Sequence, residues 1–257
     1  MKHIEDYYHK HAGEEIWILG CGPALDDYPD DFFDDKITIA IKFTFSIFPK
    51  CTYIITSHSL TPDWLVAHQP EFLNKCILVV FTRPSEEMVW YKKEYGDGPI
   101  WMQTVHPSIP HKSVEEVTED YRQMVKAVVE GTSVLYQALW SQQHCAITAS
   151  VIFDAKKITL TGCDMKASKN RWHSEKIIKA GHYGGVELRE YSEEWQKGET
   201  VSARIVRRGT SLLAELYKPY GINIRRHHYK TGYEEIEPLE YWKNWGLGNW
   251  TTRDSRK

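Results

Sequence analysis

The chain has 257 residues, 42% hydrophobic and 26% charged, with a formal net charge of −3. That length supports one large domain or two small ones around a sizeable core, and the near-neutral balance excludes bulk attraction to nucleic acid or to an anionic membrane. Five cysteines without paired spacing, no signal peptide and no long apolar span predict a reducing, cytoplasmic protein rather than a disulfide framework or a membrane-spanning chain.

Residues 1–15 are polar, and His3, His9 and His11 lie among acids and lysines without a ligand pattern. They predict a frayed helical lead-in rather than a metal site. Ile16–Leu19 is too short an apolar run for an amphipathic helix and reads as a buried strand. It runs into Gly20-Cys21-Gly22-Pro23-Ala24, where two glycines permit a sharp turn and Pro23 suits the first position of a helix. Such a turn either closes tightly on itself or cradles a phosphate with free N–H groups; the third glycine of the dinucleotide fingerprint is replaced by Leu25.

Further strands are predicted at Ile37–Phe43, Cys51–Thr56, Lys75–Thr82 and Ile100–Met102, with a short helix opened by Thr61-Pro62-Asp63. Ser113 and Glu116 form a capping box for a helix whose apolar face runs from Val114 to Val128, stopped by Gly131. Thr132 or Ser133 caps the next helix, which either runs on to about Phe153 or breaks near Gln142. Lys157–Cys163 is a strand followed at once by Asp164. Residues 165–200 are polar and too long for an ordinary connection, which suggests a lid. Ser202–Tyr217 reads as a helix and Ile222–Arg226 as the last strand. A tail over 231–257 carries Trp242, Trp245 and Trp250, to pack on the body or meet a partner.

Continuous apolar strands alternating with helices predict an α/β fold, a mostly parallel sheet with helices on both faces. Ligands in such sheets bind at the carboxyl ends of strands. That rule selects Gly20–Ala24, Lys42, Ser57 and His58, Thr82 and Arg83, Asp164, and Arg225–His228. Lys42 either neutralises a phosphate or snorkels from the sheet edge. Asp164 either binds a ribose hydroxyl, holds Mg²⁺ or orients a lysine, or simply caps the next turn. The Arg225–His228 cluster faces a phosphate or, more simply, solvent. His58 and His144 read as packing residues.

Three segments in order carry a family resemblance. Ile18–Leu25, I-L-G-C-G-P-A-L, resembles the G-x-G-P-S-L opening of the Campylobacter-type bacterial sialyltransferases and of the 6-hydroxymethylpterin diphosphokinase MptE-like group. Lys50–Leu60 is similar to the sialyltransferases' third strand and its Asn-Pro-Ser-Leu-type turn. Ala146–Met165 resembles the helix–strand segment ending in G-x-D that both groups share, and phage-type relatives continue into a stretch like Arg171-Trp172-His173. Leu212–Ile224 fits the closing helix and strand.

The resemblance, over roughly 15–60 and 131–226, implies a Rossmann-like nucleotide-binding domain at 1–230. Its implied activity is a nucleotide-dependent transferase. The first form is a sialyltransferase-like glycosyltransferase that moves a sugar from a CMP-type nucleotide-sugar to a glycan or other hydroxyl acceptor, without a metal. The alternatives are an MptE-like pyrophosphokinase using Mg-ATP, and a non-catalytic nucleotide-binding protein. A homo-oligomer is left open. Gly181-His182-Tyr183-Gly184-Gly185 is similar to the sialyltransferases' His-Tyr-x-Gly-His lid, so His182 or His173 is expected as the base, and Tyr183 as a hydrogen-bond donor to the leaving phosphate. Gly131-Thr132-Ser133 is the counterpart of a nucleotide-binding Thr-Ser-Gly turn. Ala24 stands where the families have serine; Lys42 and Ser57 stand where the sialyltransferases have asparagine.

Overall fold

The computed structural model describes residues 2–57, 60–81, 93–105, 114–132, 136–137, 141–165, 173–182, 197 and 200–242. Ten strands among them form one sheet: β1 (Lys2–His3), β2 (Glu15–Leu19), β3 (Ile37–Ile41), β4 (Tyr53–Thr56), β5 (Cys76–Phe81), β6 (Ile100–Val105), β7 (Tyr136–Gln137), β8 (Lys157–Thr161), β9 (Asn223–His228) and β10 (Gly232–Glu235). The order is β1-β6-β5-β4-β3-β2-β8-β9-β10, with β7 paired to β6. All pairings are parallel except that of β10 with β9. The fold is therefore an α/β, Rossmann-like one.

The helices are α1 (Leu60–His68), α2 (Val114–Val129), α3 (Gln142–Ile152), α4 (Glu175–Lys179) and α5 (Val201–Tyr217). Side chains alternate across a strand, so each central strand feeds two cores. Ile16 and Ile18 of β2 join Ile39, Ile55, Ile77 and Leu160 under α2, α3 and α5. Trp17 and Leu19 join Ala40, Ile54, Phe43, Phe45 and Leu65 on the other face, with α1 and α4. Burying each such aliphatic side chain contributes roughly 1.5–3 kcal/mol, which is why continuous apolar runs become strands covered on both faces.

Three features depart from the expectations. The lead-in is not a frayed helix: β1 pairs with β6, a 3-10 helix spans Ile4–Tyr7, and Ile4 is wholly buried. The segment after Gly22 is a five-residue 3-10 helix, Pro23–Asp27, with Pro23 in its first turn. The last strand continues to His228 and turns back as β10, so part of the tail joins the sheet; Trp242 is buried and donates to Ser211 Oγ at 2.9 Å. Trp245 and Trp250 lie outside the described residues.

Of the two readings of the segment before Phe153, the break near Gln142 is the one observed, with Ser141 as N-cap.

Candidate functional site at the strand exchange point

From β2 the chain winds outward through β3, β4, β5 and β6, then returns to place β8 on the other side of β2. The connections reverse direction at the carboxyl ends of β2 and β8, the crevice where open α/β sheets bind ligands. Gly20-Cys21-Gly22 and Gly162-Cys163-Asp164 meet there. Gly20 N–H donates to Thr161 O at 2.8 Å and Gly22 N–H to Gly162 O at 2.9 Å. Of the two readings of this turn, closing on itself and cradling a phosphate with free N–H groups, the N–H groups of Gly20 and Gly22 follow the first. Their lack of a side chain serves close approach instead: a Cβ on Gly20 would lie 2.1 Å from Gly162 O, and one on Gly22 2.7 Å from the same atom. Gly162, at φ +62°, takes the left-handed conformation with Leu25 packed against it.

The neighbouring exits carry left-handed backbone at residues other than glycine. Lys42 follows β3 at φ +53° and Met165 follows Asp164 at φ +54°. Such conformations are uncommon for side-chain-bearing residues and gather at functional sites. Thr44 Oγ1 donates to Gly20 O at 2.8 Å and the Cys21 thiol to Ile41 O at 3.2 Å, fixing the β2 and β3 exits together. Lys42 is partly exposed, and its side chain has no hydrogen bond or ion pair among the described residues.

A short segment, 173–182, lies over this corner. Ser174 N–H donates to Cys21 O at 2.8 Å, and Asp26 accepts from Ser174 Oγ at 2.5 Å, Glu175 N–H at 3.0 Å and Lys176 N–H at 3.3 Å. Asp26 thus caps α4 from another part of the chain. Lys176 Nζ adds bonds to Tyr28 O and Asp30. His173 is thereby held against the glycine turn. Its burial, and after that the Lys42 charge, push its imidazole down to about 4, so it is neutral at physiological pH.

His182 is placed differently. It is 6% exposed, stacked on Phe43 at 4.3 Å between ring centres, with the Trp64 edge at 5.1 Å and Phe45 beyond. Burial lowers its pKa. Phe43 and Phe45 follow β3 directly, so this aromatic pocket adjoins the Lys42 exit.

Asp164 sits at the β8 exit, partly exposed, with His228 Nε2 3.9 Å from its carboxylate and Glu234 3.3 Å from the same nitrogen. Below it, Tyr28 OH accepts from Thr161 Oγ1 and donates to His227 O, both at 2.8 Å. His227 Nδ1 is also 2.8 Å from this hydroxyl, which assigns its proton to Nδ1. The Arg225–His228 cluster is not a solvated edge. Arg225 pairs with Glu15 at 3.0 Å and lies over Tyr233, Arg226 is buried, and His227 packs against Trp17.

Ser57, at the β4 exit, accepts from Gln142 Nε2 at 3.0 Å. Gln142 opens α3, and its Oε1 is buried without a hydrogen-bond partner among the described residues. Sequence reasoning missed Gln142 as a site residue; the signal was Ser141, an N-cap just before the break. Thr132 is not brought to this edge. It ends α2, bonding back to Ala127, while neighbouring Gly131 packs on Tyr8 at the amino edge of the sheet. His144 is a packing residue, as expected, bonded to Val206 O at 3.0 Å. His58, Thr82, Arg83, Ser133 and Tyr183 lie outside the described residues, as does most of the lid. No group of three or more metal-ligating side chains occurs among the described residues, and no described helix is long and apolar enough to cross a membrane.

No family model and no curated protein matches the chain. Among solved structures it is similar to the sialyltransferase CST-II in complex with a trisaccharide acceptor and CMP, at 13% identity and TM-score 0.45, over 88% of this chain and 87% of that one. It is also similar to CstII from Campylobacter jejuni in complex with the substrate analogue CMP-3FNeuAc, at 14% identity and TM-score 0.43, with the same coverage. A third is the monofunctional alpha-2,3-sialyltransferase Cst-I from Campylobacter jejuni, at 15% identity and TM-score 0.39, over 88% of this chain and 82% of that one.

Proposed function

We propose that this protein is a nucleotide-sugar-dependent glycosyltransferase, with a CMP-type donor and a hydroxyl acceptor. The observation that carries the reading is the meeting of the glycine turn, Lys42, His173 and Asp164 at the strand exchange point, since the resembling segments converge on that one crevice. Lys42 is the cation available to the donor phosphate, as a point charge. The glycines hold the exits of β2 and β8 close enough to form the floor. Asp164 and Ser57, with Gln142, border the site as polar partners for ribose or base.

His173 is the base that takes the acceptor hydroxyl's proton. Neutral imidazole is the form a base requires, although a pKa of about 4 makes it weak in the free protein. A donor phosphate beside Lys42 offsets the charge that lowers His173, so donor binding raises the histidine's basicity when an acceptor is to be deprotonated. The new bond joins the acceptor oxygen to the sugar's anomeric carbon, the bond from that carbon to the phosphate oxygen breaks, and the proton passes to His173. His182, enclosed by aromatic rings, shapes the wall beside it.

The test is transfer from CMP-N-acetylneuraminate to a lactoside, with calorimetry of CMP, ATP and UDP-sugars and with EDTA present. Metal-independent transfer supports the proposal. ATP-dependent chemistry lost in EDTA would replace it with the pyrophosphokinase, and failure to bind any nucleotide would overturn both.

A further inference from the structure

Arg226 is 5% exposed, on β9 level with Leu160 of β8. Its Nη1 donates to Glu237 Oε2 at 2.7 Å, while Nε and Nη2 are buried without a hydrogen-bond partner among the described residues. Those two nitrogens share one edge of the planar guanidinium and form the fork that grips a carboxylate or a phosphate with two parallel hydrogen bonds. The guanidinium is held between β9 and α5, bonded to the Glu237 that also pairs with Arg207 of α5.

The surroundings suit an anion. Glu237 is shared between Arg226 and Arg207, which leaves one positive charge in excess within that trio. Burial, the largest single effect, pushes its carboxyl up, but the Arg226 charge and the hydrogen bonds from Arg207 and Arg226 together outweigh it and hold the carboxyl at about 2, so it stays ionised at working pH. The guanidinium is thus fixed through Nη1, and its Nε–Nη2 edge has no hydrogen-bond partner among the described residues. Leaving two charged donors unmet costs more than leaving neutral ones unmet, and an oxyanion of matching shape removes that cost.

We infer that the Nε–Nη2 edge of Arg226 is an oxyanion subsite for a carboxylate or phosphate group, set on β9 beside Arg207 of α5. It stands independently of the transferase reading, because it requires no nucleotide.

The test uses the full chain with inorganic phosphate and, separately, N-acetylneuraminate, against sodium chloride of matched ionic strength, by calorimetry and thermal unfolding. At least one anion should bind and raise Tm, phosphate alone assigning a phosphoryl group and the sugar acid a carboxylate. The methyl ester of the sugar acid should not bind. Arg226→Lys, which keeps the charge and loses the fork, should weaken binding at least tenfold. Should that variant fold poorly, Glu237→Gln gives the opposite readout: removing the competing carboxylate tightens the anion several-fold. No anion binding by the unaltered protein, binding undiminished in Arg226→Lys, or binding unimproved in Glu237→Gln would each overturn the assignment.

Discussion

Gly22 N–H donates to Gly162 O at 2.9 Å, fastening the exit of β2 to the exit of β8, far apart along the chain. The glycines at this seam are required by backbone proximity. In Gly20→Ala the new methyl would lie 2.1 Å from Gly162 O, which is backbone and cannot swing aside. The expected loss exceeds the ~1–3 kcal/mol typical of overpacking, read as a lowered urea midpoint. Gly181→Ala is the control: its Cβ would meet open space, so only its φ of +84° resists, at roughly 1–2 kcal/mol.

His173 and Lys42 predict the pH behaviour. Because burial and then Lys42 depress the histidine from 6.5 to about 4, the unfolded chain binds a proton that the folded chain does not in that interval. Stability contributed by neutral His173 is therefore full above about 6.5 and declines as pH falls towards 4. Denaturation of the protein and of His173→Gln at pH 7 and pH 5 should show the unaltered protein losing more. Lys42→Met should move the acid limb of kcat/KM upward, since one of the two depressing causes is gone. An unmoved limb would separate the two residues.

The two lid histidines are distinguished by substitution. His173→Gln should lower kcat by roughly 10²–10⁴ while nucleotide binding persists. His182→Phe keeps the stacked ring on Phe43 and should retain turnover, whereas His182→Ala leaves a cavity and should cost about 2–4 kcal/mol of stability. Loss of turnover in His182→Phe at full stability would transfer the base role to His182.

Asp26 joins the glycine turn to α4. Asp26→Ala strips the acceptor from Ser174, Glu175 and Lys176, at a cost of about 1–2 kcal/mol, comparable with loss of a helix cap. The opening should be local. Hydrogen exchange should quicken at Glu175 and Lys176 with β2 and β8 unaffected, and the donor's KM should rise.

Much of the fold was legible in the sequence because β2, β3, β4, β5 and β8 are apolar on both faces and stand out without periodicity. The crevice was legible too, since parallel sheets place strand exits on one edge. Use of the Gly20 and Gly22 N–H groups was not: their acceptors, Thr161 and Gly162, are distant in sequence. Thr132 was misplaced because the chain recrosses to the carboxyl edge through β7 before α3 begins, so the cap that reaches the site is Ser141 and not the first serine or threonine after Gly131. β10 escaped notice because Gly232–Glu235 is polar and mostly exposed, with no alternation to read. Without β10, Glu237 had no place, and Arg226 read as a surface residue.

A central strand of the sheet, β2, is made almost first and completed almost last. Glu15 accepts from Arg225 at 3.0 Å and from Thr159 Oγ1 at 2.5 Å, so β2 waits for two partners synthesised far later. A nascent chain released from the ribosome before residue 157 would carry β2 with one bare, apolar edge. Such long-range closure makes folding slow and leaves that edge open to pairing between chains. Truncated messages should therefore give insoluble product, and the crevice should mature only after the last parallel strand docks.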